Sequence, residues 1–154
     1  MKAVAVLALA LLAGRAEALS CVAPDPLASF ERAATDSAPW MVLVGELAFD
    51  ASALPQGVQN APRDPAPLSA RLVGRSLSAD GFATPFAGDV TLVPSCAGPW
   101  CGGLEPGGEM LIFARIVEGA LEIDLPACGG TVFDVPDAAL QEALRSCLIN
   151  GGCG

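Results

Sequence analysis

Five stretches of the chain have the pattern of β-strands, with apolar residues repeating on one face in most of them and the fourth apolar on both faces at its start. These predicted strands cover residues 40–49, 69–77, 87–94, 110–117 and 121–125. In the first of them Gly45 falls on the same face as the large apolar residues, where a missing side chain permits the sharp bend that a small barrel needs. Glu118-Gly119 separates the last two strands, so the sequence predicts that they form a hairpin.

Two other stretches have the three-and-four-residue spacing of amphipathic helices. The first begins at Asp25-Pro26, an N-cap followed by a proline, and ends before Pro39. The second follows Pro136 and ends at Gly151-Gly152. The residues predicted to face the core are Leu27, Phe30 and Ala34 in the first helix and Leu140, Ala143, Leu144, Cys147 and Leu148 in the second.

The predicted elements indicate the fold class. Residues 50–67, between the first two strands, contain four prolines and are predicted to be a loop. Five short strands closed at one side by a helix are typical of an OB-fold barrel. We therefore predict a mainly β domain, a small five-stranded OB-like antiparallel barrel with a short N-terminal helix and a C-terminal helix. An antiparallel sandwich is the structural alternative.

The N-terminal residues have the pattern of a secretory signal. Lys2 precedes eleven uncharged apolar residues, too few to span a bilayer, which takes about 20. Ala16-Glu17-Ala18 then gives the small-x-small pattern of a cleavage site, so we predict a signal peptide over residues 1–18 and a single domain over residues 19–154. Cleavage after Ser20 is the alternative, and acylation of Cys21 as a lipid anchor is a weaker one. The predicted location is the periplasm or the exterior.

Charge and composition exclude several classes of function. Loss of Lys2, Arg15 and Glu17 with the signal changes the formal charge from −9 to −10, a surface that repels nucleic acid and anionic lipid and favours a cationic partner or solubility. The chain has no histidine, so neither a Ser-His-Asp nor a Cys-His site can be assembled. We predict no catalytic residue, no metal, no cofactor, no nucleic-acid partner and no membrane span, and a monomer.

Six cysteines behind an export signal predict three disulfides, and no Cys-x-x-Cys spacing favours a metal site instead. The glycines before the last cysteine allow a local bond, Cys147–Cys153. Two arrangements of the other four stay open: Cys21–Cys128 with Cys96–Cys101, or Cys21–Cys101 with Cys96–Cys128. The residues favour the first, because Gly98-Pro99 turns the short loop easily. Its long bond would stabilise the fold by about 5 kcal/mol and its short bond by about 2 kcal/mol.

Several landmarks together resemble a known family. A cysteine follows the signal, residues 40–47 read WMVLVGEL, and Cys101-Gly102 is followed by GGEMLIFA and then by another cysteine after the next strand. This order is similar to the netrin-like domain of tissue inhibitors of metalloproteinases and their bacterial relatives. Ala23 stands where the family has the second cysteine of Cys-x-Cys, and the GGEMLIFA strand lacks the family's tyrosine.

The resemblance implies an OB-type barrel and an inhibitor-like role. In the animal inhibitors the amino group and carbonyl of the first cysteine chelate the zinc of a target protease, which Cys21 could do only if cleavage falls after Ser20. The resemblance also leans towards the second disulfide arrangement, with Cys21 bonded to Cys101.

We therefore expect an exported, non-catalytic protein-binding module. The candidate partner-contact residues are Cys21, Val22, Ala23 and Pro24 at the N-terminal edge, and Trp100 in the short cysteine loop, where an exposed indole would anchor a partner. A structural or envelope-interaction protein is one alternative. A carboxylate-based hydrolase is the other, with the candidate residues Asp80, Asp89, Glu105, Glu109, Asp124 and Asp134.

The cleavage position gives a direct prediction. Mass spectrometry of the purified mature protein should give Leu19 as its first residue, because Ala16-Glu17-Ala18 fits the signal peptidase pattern. A first residue of Cys21 would move cleavage to the alternative position. An intact N-terminal segment would contradict the export signal altogether.

Overall fold

The computed structural model describes residues 20–58 and 60–153. The predicted signal peptide, residues 1–18, lies outside the described residues. In chain order the elements are α1 (Pro26–Thr35), β1 (Trp40–Ala48), a 3-10 turn (Ala51–Ala53), β2 (Leu68–Ser78), β3 (Gly81–Pro94), β4 (Cys96–Ala97), β5 (Trp100–Cys101), β6 (Met110–Val117), β7 (Ala120–Leu125), β8 (Val132–Asp134) and α2 (Ala138–Asn150).

Five strands close into an OB-like barrel, which confirms the predicted fold class. The ring runs β1-β2-β3-β7-β6 and closes through β1–β6, while β8 pairs with the other edge of β6. The expected all-antiparallel arrangement is wrong at one place, since β3 and β7 pair in parallel. The reason is geometric: strands in a closed ring of five cannot all alternate in direction, so one neighbouring pair must be parallel.

Large apolar side chains fill the interior of the barrel. They come from every strand of the ring, and Leu54 of the loop after β1 joins them. The face of β1 that was predicted to carry the large apolar residues therefore points into the barrel, and its members are Met41, Leu43, Leu47 and Phe49. The buried residues of this cluster are Leu43, Leu47, Leu54, Leu68, Ala70, Leu72, Val90, Leu92, Met110, Ile112, Ala114, Ile123 and Leu125.

A second apolar cluster lies outside the barrel, where both helices cover β1 and β6. Its buried members are Phe30, Val42, Val44, Leu111, Phe113, Leu144 and Cys147. The rings of Phe113 and Phe133 meet edge to face, with centroids 5.9 Å apart. Because the helices cover this outer surface, the first half of β6 is buried on both faces, which explains its continuous apolar sequence.

Both helices begin at the predicted signals and α2 ends at the predicted glycine, whereas α1 ends at Thr35, four residues before Pro39. Asp25 and Asp137 each cap a helix by accepting a backbone N–H through Oδ1, at 2.8 Å, and Gly151 ends α2 in the left-handed region with φ of 75°. Two predicted core positions are wrong: Ala34 of α1 and Leu148 of α2 are exposed. In α1 the buried face is turned towards Ser29 and Phe30 because Ser29 bonds to a distant loop.

Two glycines face each other where β1 and β2 approach most closely. Gly45 pairs with Gly74 in the register of these strands. A Cβ on Gly45 would lie 2.5 Å from the carbonyl oxygen of Val73, and one on Gly74 would overlap the carbonyl oxygen of Val44. Gly45 therefore has to lack a side chain because the backbone of β2 lies against it. Gly74 has to lack one for the same reason, because the backbone of β1 lies against it.

Substitution of Gly74 by alanine should lower the free energy of unfolding by about 2 to 4 kcal/mol, because the added methyl group forces two backbones apart. Gly103→Ala is the matched control, since no atom lies within 4 Å of a Cβ built there, and it should stay within about 0.5 kcal/mol of the unsubstituted chain. Urea unfolding followed by circular dichroism measures both. Equal losses for the two variants would contradict the close approach.

Candidate functional site

All six cysteines are paired in the structure. The bonds are Cys21–Cys128, Cys96–Cys101 and Cys147–Cys153. These are the pairs of the arrangement that the residues favour, whereas the netrin-like resemblance leans towards the other one. Three disulfides are typical of proteins that fold in an oxidising compartment.

The parallel pair β3–β7 brings two of these bonds to the same end of the barrel. Pro94 and Leu125, the last residues of the two strands, are register partners, and the N–H of Ser95 donates to the carbonyl of Leu125 at 3.0 Å. The Cys96–Cys101 hairpin follows β3 directly, and Cys128 follows β7 by three residues. Both cysteine-bearing segments therefore start from neighbouring strand ends.

The N-terminal edge, residues 21–24, is exposed yet fixed at both sides. The disulfide of Cys21 ties it to the segment after β7, and α1 begins immediately after it. The side chain of Val22 is 88% exposed, the most exposed of the large apolar residues among those described. The edge therefore presents an apolar side chain to solvent from a backbone that is held in place.

A cleft of about 1140 Å³ lies beneath this edge. Its walls are the N-terminal edge, α1, the loop before β2, the end of β3 and the segment after β7. The lining residues are 22–25, Ala28, Ser29, Arg32, Ala33, Asp36, Trp40, 64–67, 93–95, Phe113, Asp124, Pro126 and 128–131.

The predicted partner-contact residues divide between two places. Val22, Ala23 and Pro24 line the cleft, and Cys21 is bonded to Cys128, which also lines it. Trp100 does not line the cleft. It lies in the Cys96–Cys101 hairpin with 41% of its surface exposed, against the backbone of Gly98.

The hairpin that carries Trp100 is held by the long loop before β2. The N–H of Cys96 donates to the carbonyl of Arg63 at 2.8 Å, and Gly57 lies so close to Pro99 that a Cβ there would overlap the proline carbonyl. Leu54 anchors the start of the same loop in the barrel interior. The predicted loop is therefore packed against the body of the protein at both ends.

A polar contact joins α1 to the segment after β7 inside the cleft. Ser29, which is 4% exposed, donates through Oγ to the carbonyl of Gly130 at 2.8 Å. The same Oγ accepts from Nη2 of Arg32 at 2.6 Å, and Nη2 also lies 3.4 Å from the Gly130 carbonyl. No local motif marks Ser29 or Arg32, because their partner is about a hundred residues away, so the sequence did not single them out.

Four carboxylates line the cleft beside Arg32. Asp25 caps α1, and Asp124 pairs with Arg115 at 3.3 Å. Asp36 accepts the N–H of Ala38 through Oδ1 at 2.9 Å, and Asp64 makes no ion pair within the described part of the chain. Trp40 also lines the cleft, and its indole N–H is buried without an acceptor among residues 20–58 and 60–153.

Three of the six carboxylates of the hydrolase alternative are paired with three different arginines. Asp89 pairs with Arg71 at 3.0 Å, Glu109 with Arg75 at 2.8 Å, and Asp124 with Arg115. Within the described residues, no three histidine, cysteine, aspartate or glutamate side chains are grouped so that they could hold a metal ion. Neither described helix has the length and hydropathy of a membrane span.

Comparison of the chain with known protein families, with curated proteins and with solved structures gives no match. The assignment to an OB-like fold therefore rests on the strand topology, and the candidate site rests on the geometry of the cleft.

Replacement of Cys21 and Cys128 by serine should lower the free energy of unfolding by about 5 kcal/mol, because the bond closes a loop between residues 107 apart. The matched double variant of Cys96 and Cys101, which are five apart, should lose about 2 kcal/mol. Urea unfolding under oxidising conditions measures both losses.

Hydrogen exchange adds a local measurement to the same pair of variants. Amides of the N-terminal edge should exchange faster in the Cys21 and Cys128 variant while β1 and β6 stay protected. Equal stability losses in the two variants, together with an unchanged N-terminal edge, would show that the long bond does not fix this segment.

Proposed function

We propose that the chain is an exported, non-catalytic protein-binding module whose N-terminal edge contacts its partner in an inhibitor-like manner. The observation that carries this proposal is the combination at residues 21–24: the segment is exposed, it is covalently fixed to the barrel, and it borders the cleft. A segment that is already ordered loses little conformational entropy when it binds, which favours affinity.

Trp100 supports the proposal as a second contact. Its indole is held in a hairpin closed by a disulfide, and aromatic residues presented on rigid supports are enriched among the residues that carry binding energy. The hairpin starts from the strand end next to that of the Cys128 segment. A partner that covers this end of the barrel would reach both regions.

The netrin-like resemblance gives the inhibitor-like form of the proposal. In that form Cys21 is the first residue of the mature protein and its amino group and carbonyl chelate the zinc of a protease. The exposed position of Cys21 and its bond to Cys128 are compatible with that role. The broader proposal, a protein-binding edge, holds with Leu19 or Cys21 as the first residue.

Substitution of Val22 by serine should weaken capture of the protein's partner by about tenfold, because the apolar side chain at the centre of the contact is lost. The measurement is a pull-down from the envelope fraction of the producing cell with the mature protein as bait, followed by quantitative mass spectrometry. Val135→Ser is the matched control, since Val135 is 49% exposed and lies outside the cleft.

The outcome that would contradict the proposal is a set of captured proteins that is the same for both variants. Hydrolase activity that disappears on substitution of Asp89, Glu109 or Asp124 would favour the enzymatic alternative. Capture of only envelope scaffolding components, unchanged by Val22→Ser, would favour the structural alternative.

A further inference from the structure

We infer that the cleft beneath the N-terminal edge binds an extended segment of the partner that carries lysine or arginine side chains. This inference rests on the proposed function and adds the chemical class of the partner segment. It follows from the charge of the cleft, from its hydrogen-bonding groups and from its apolar floor.

The charge of the cleft is negative. Four aspartates and one arginine line it. Asp36 lies just after α1 and Asp64 lies in the loop before β2, so two different walls carry an exposed carboxylate. Neither takes part in an ion pair within the described residues. A cationic side chain between these walls would meet complementary charge on both sides.

The charged hydrogen-bonding groups of the cleft are mostly acceptors, four carboxylates against one guanidinium. Five of its lining residues are prolines, which have no backbone N–H. Lysine offers three donors and arginine five, and neither has an acceptor. A donor-rich side chain therefore matches the carboxylates of these walls.

The floor suits the aliphatic part of such side chains. Trp40, Val93 and Pro126 are partly exposed and contribute apolar surface to the cleft. Lysine and arginine bury their methylene stems along apolar surface while the charged group stays near solvent. An extended segment with alternating basic residues would place stems on the floor and charges at Asp36 and Asp64.

Arg32 is the one charged group of the cleft that would favour an acidic segment instead. Its Nη2 already lies against Ser29 Oγ and the Gly130 carbonyl, so the guanidinium serves to join α1 to the segment after β7. An acidic segment would also approach four aspartates. The surrounding charge therefore favours the basic segment.

The test uses two synthetic extended peptides, rich in proline and alanine, that are identical except that one carries lysines where the other carries glutamates. The chain has two tryptophans, so Trp100→Phe leaves Trp40 as the single reporter, and a change in its fluorescence shows that the peptide binds beside this residue. Calorimetry measures the affinities of both peptides for the unsubstituted chain.

The lysine peptide should bind at least about tenfold more tightly than the glutamate peptide at low ionic strength. Its affinity should fall as salt is raised, because screening shortens the reach of exposed charges. Substitution of both Asp36 and Asp64 by asparagine should weaken it by about fivefold. Asp134→Asn is the matched control and should leave the affinity unchanged, since Asp134 is exposed and does not line the cleft.

Three results would overturn the inference. The first is tighter binding of the glutamate peptide, which would assign the cleft to a carboxylate held by Arg32. The second is an equal loss of affinity in the paired aspartate variant and in Asp134→Asn. The third is that neither peptide binds. These results are independent of the proposed function, which fails if Val22→Ser leaves partner capture unchanged. A partner lost through Val22→Ser but not through the paired aspartate variant would keep the edge and exclude the basic segment.

Discussion

Closure of the barrel with an odd number of strands is the constraint on which the rest of the structure depends. One neighbouring pair has to be parallel, and the register places that pair at β3 and β7. Parallel strands end on the same side, so the segments that follow them start next to each other. The short cysteine hairpin and the loop that holds Cys128 are those segments. The shared position of the edge, the cleft and the hairpin is thus a consequence of strand direction.

The second determinant is that both faces of β1 and β6 are packed against other parts of the protein. Their inner residues fill the barrel and their outer residues pack under the two helices. This outer packing fixes the position of α1, whose first turn leads directly from the N-terminal edge. The bond between Ser29 and the Gly130 carbonyl then joins α1 to the wall opposite. The cleft is therefore built from elements that are already held by the core, with few groups devoted to it alone.

Local signals explain why much of the fold could be predicted. Strand alternation and the aspartate caps depend on near neighbours in the chain, and both were found where the sequence placed them. The parallel pair, the exposure of Ala34 and Leu148, and the close approach of Gly45 and Gly74 depend on how distant elements meet. The cleft also depends on contacts between distant parts of the chain. Ser29 reaches across 101 residues to Gly130, and no spacing in the sequence reports such a contact.

The bond between Cys21 and Cys128 also sets the order in which the protein becomes complete. A chain is made from its N terminus, so Cys21 emerges first and waits for a partner that lies 107 residues later. Until β7 has been produced and has found its place beside β3, the first described residues have nothing to be tied to. The N-terminal edge is made before the rest of the described chain, yet it is therefore among the last parts to reach its final geometry. A prematurely released chain would lack a formed N-terminal edge.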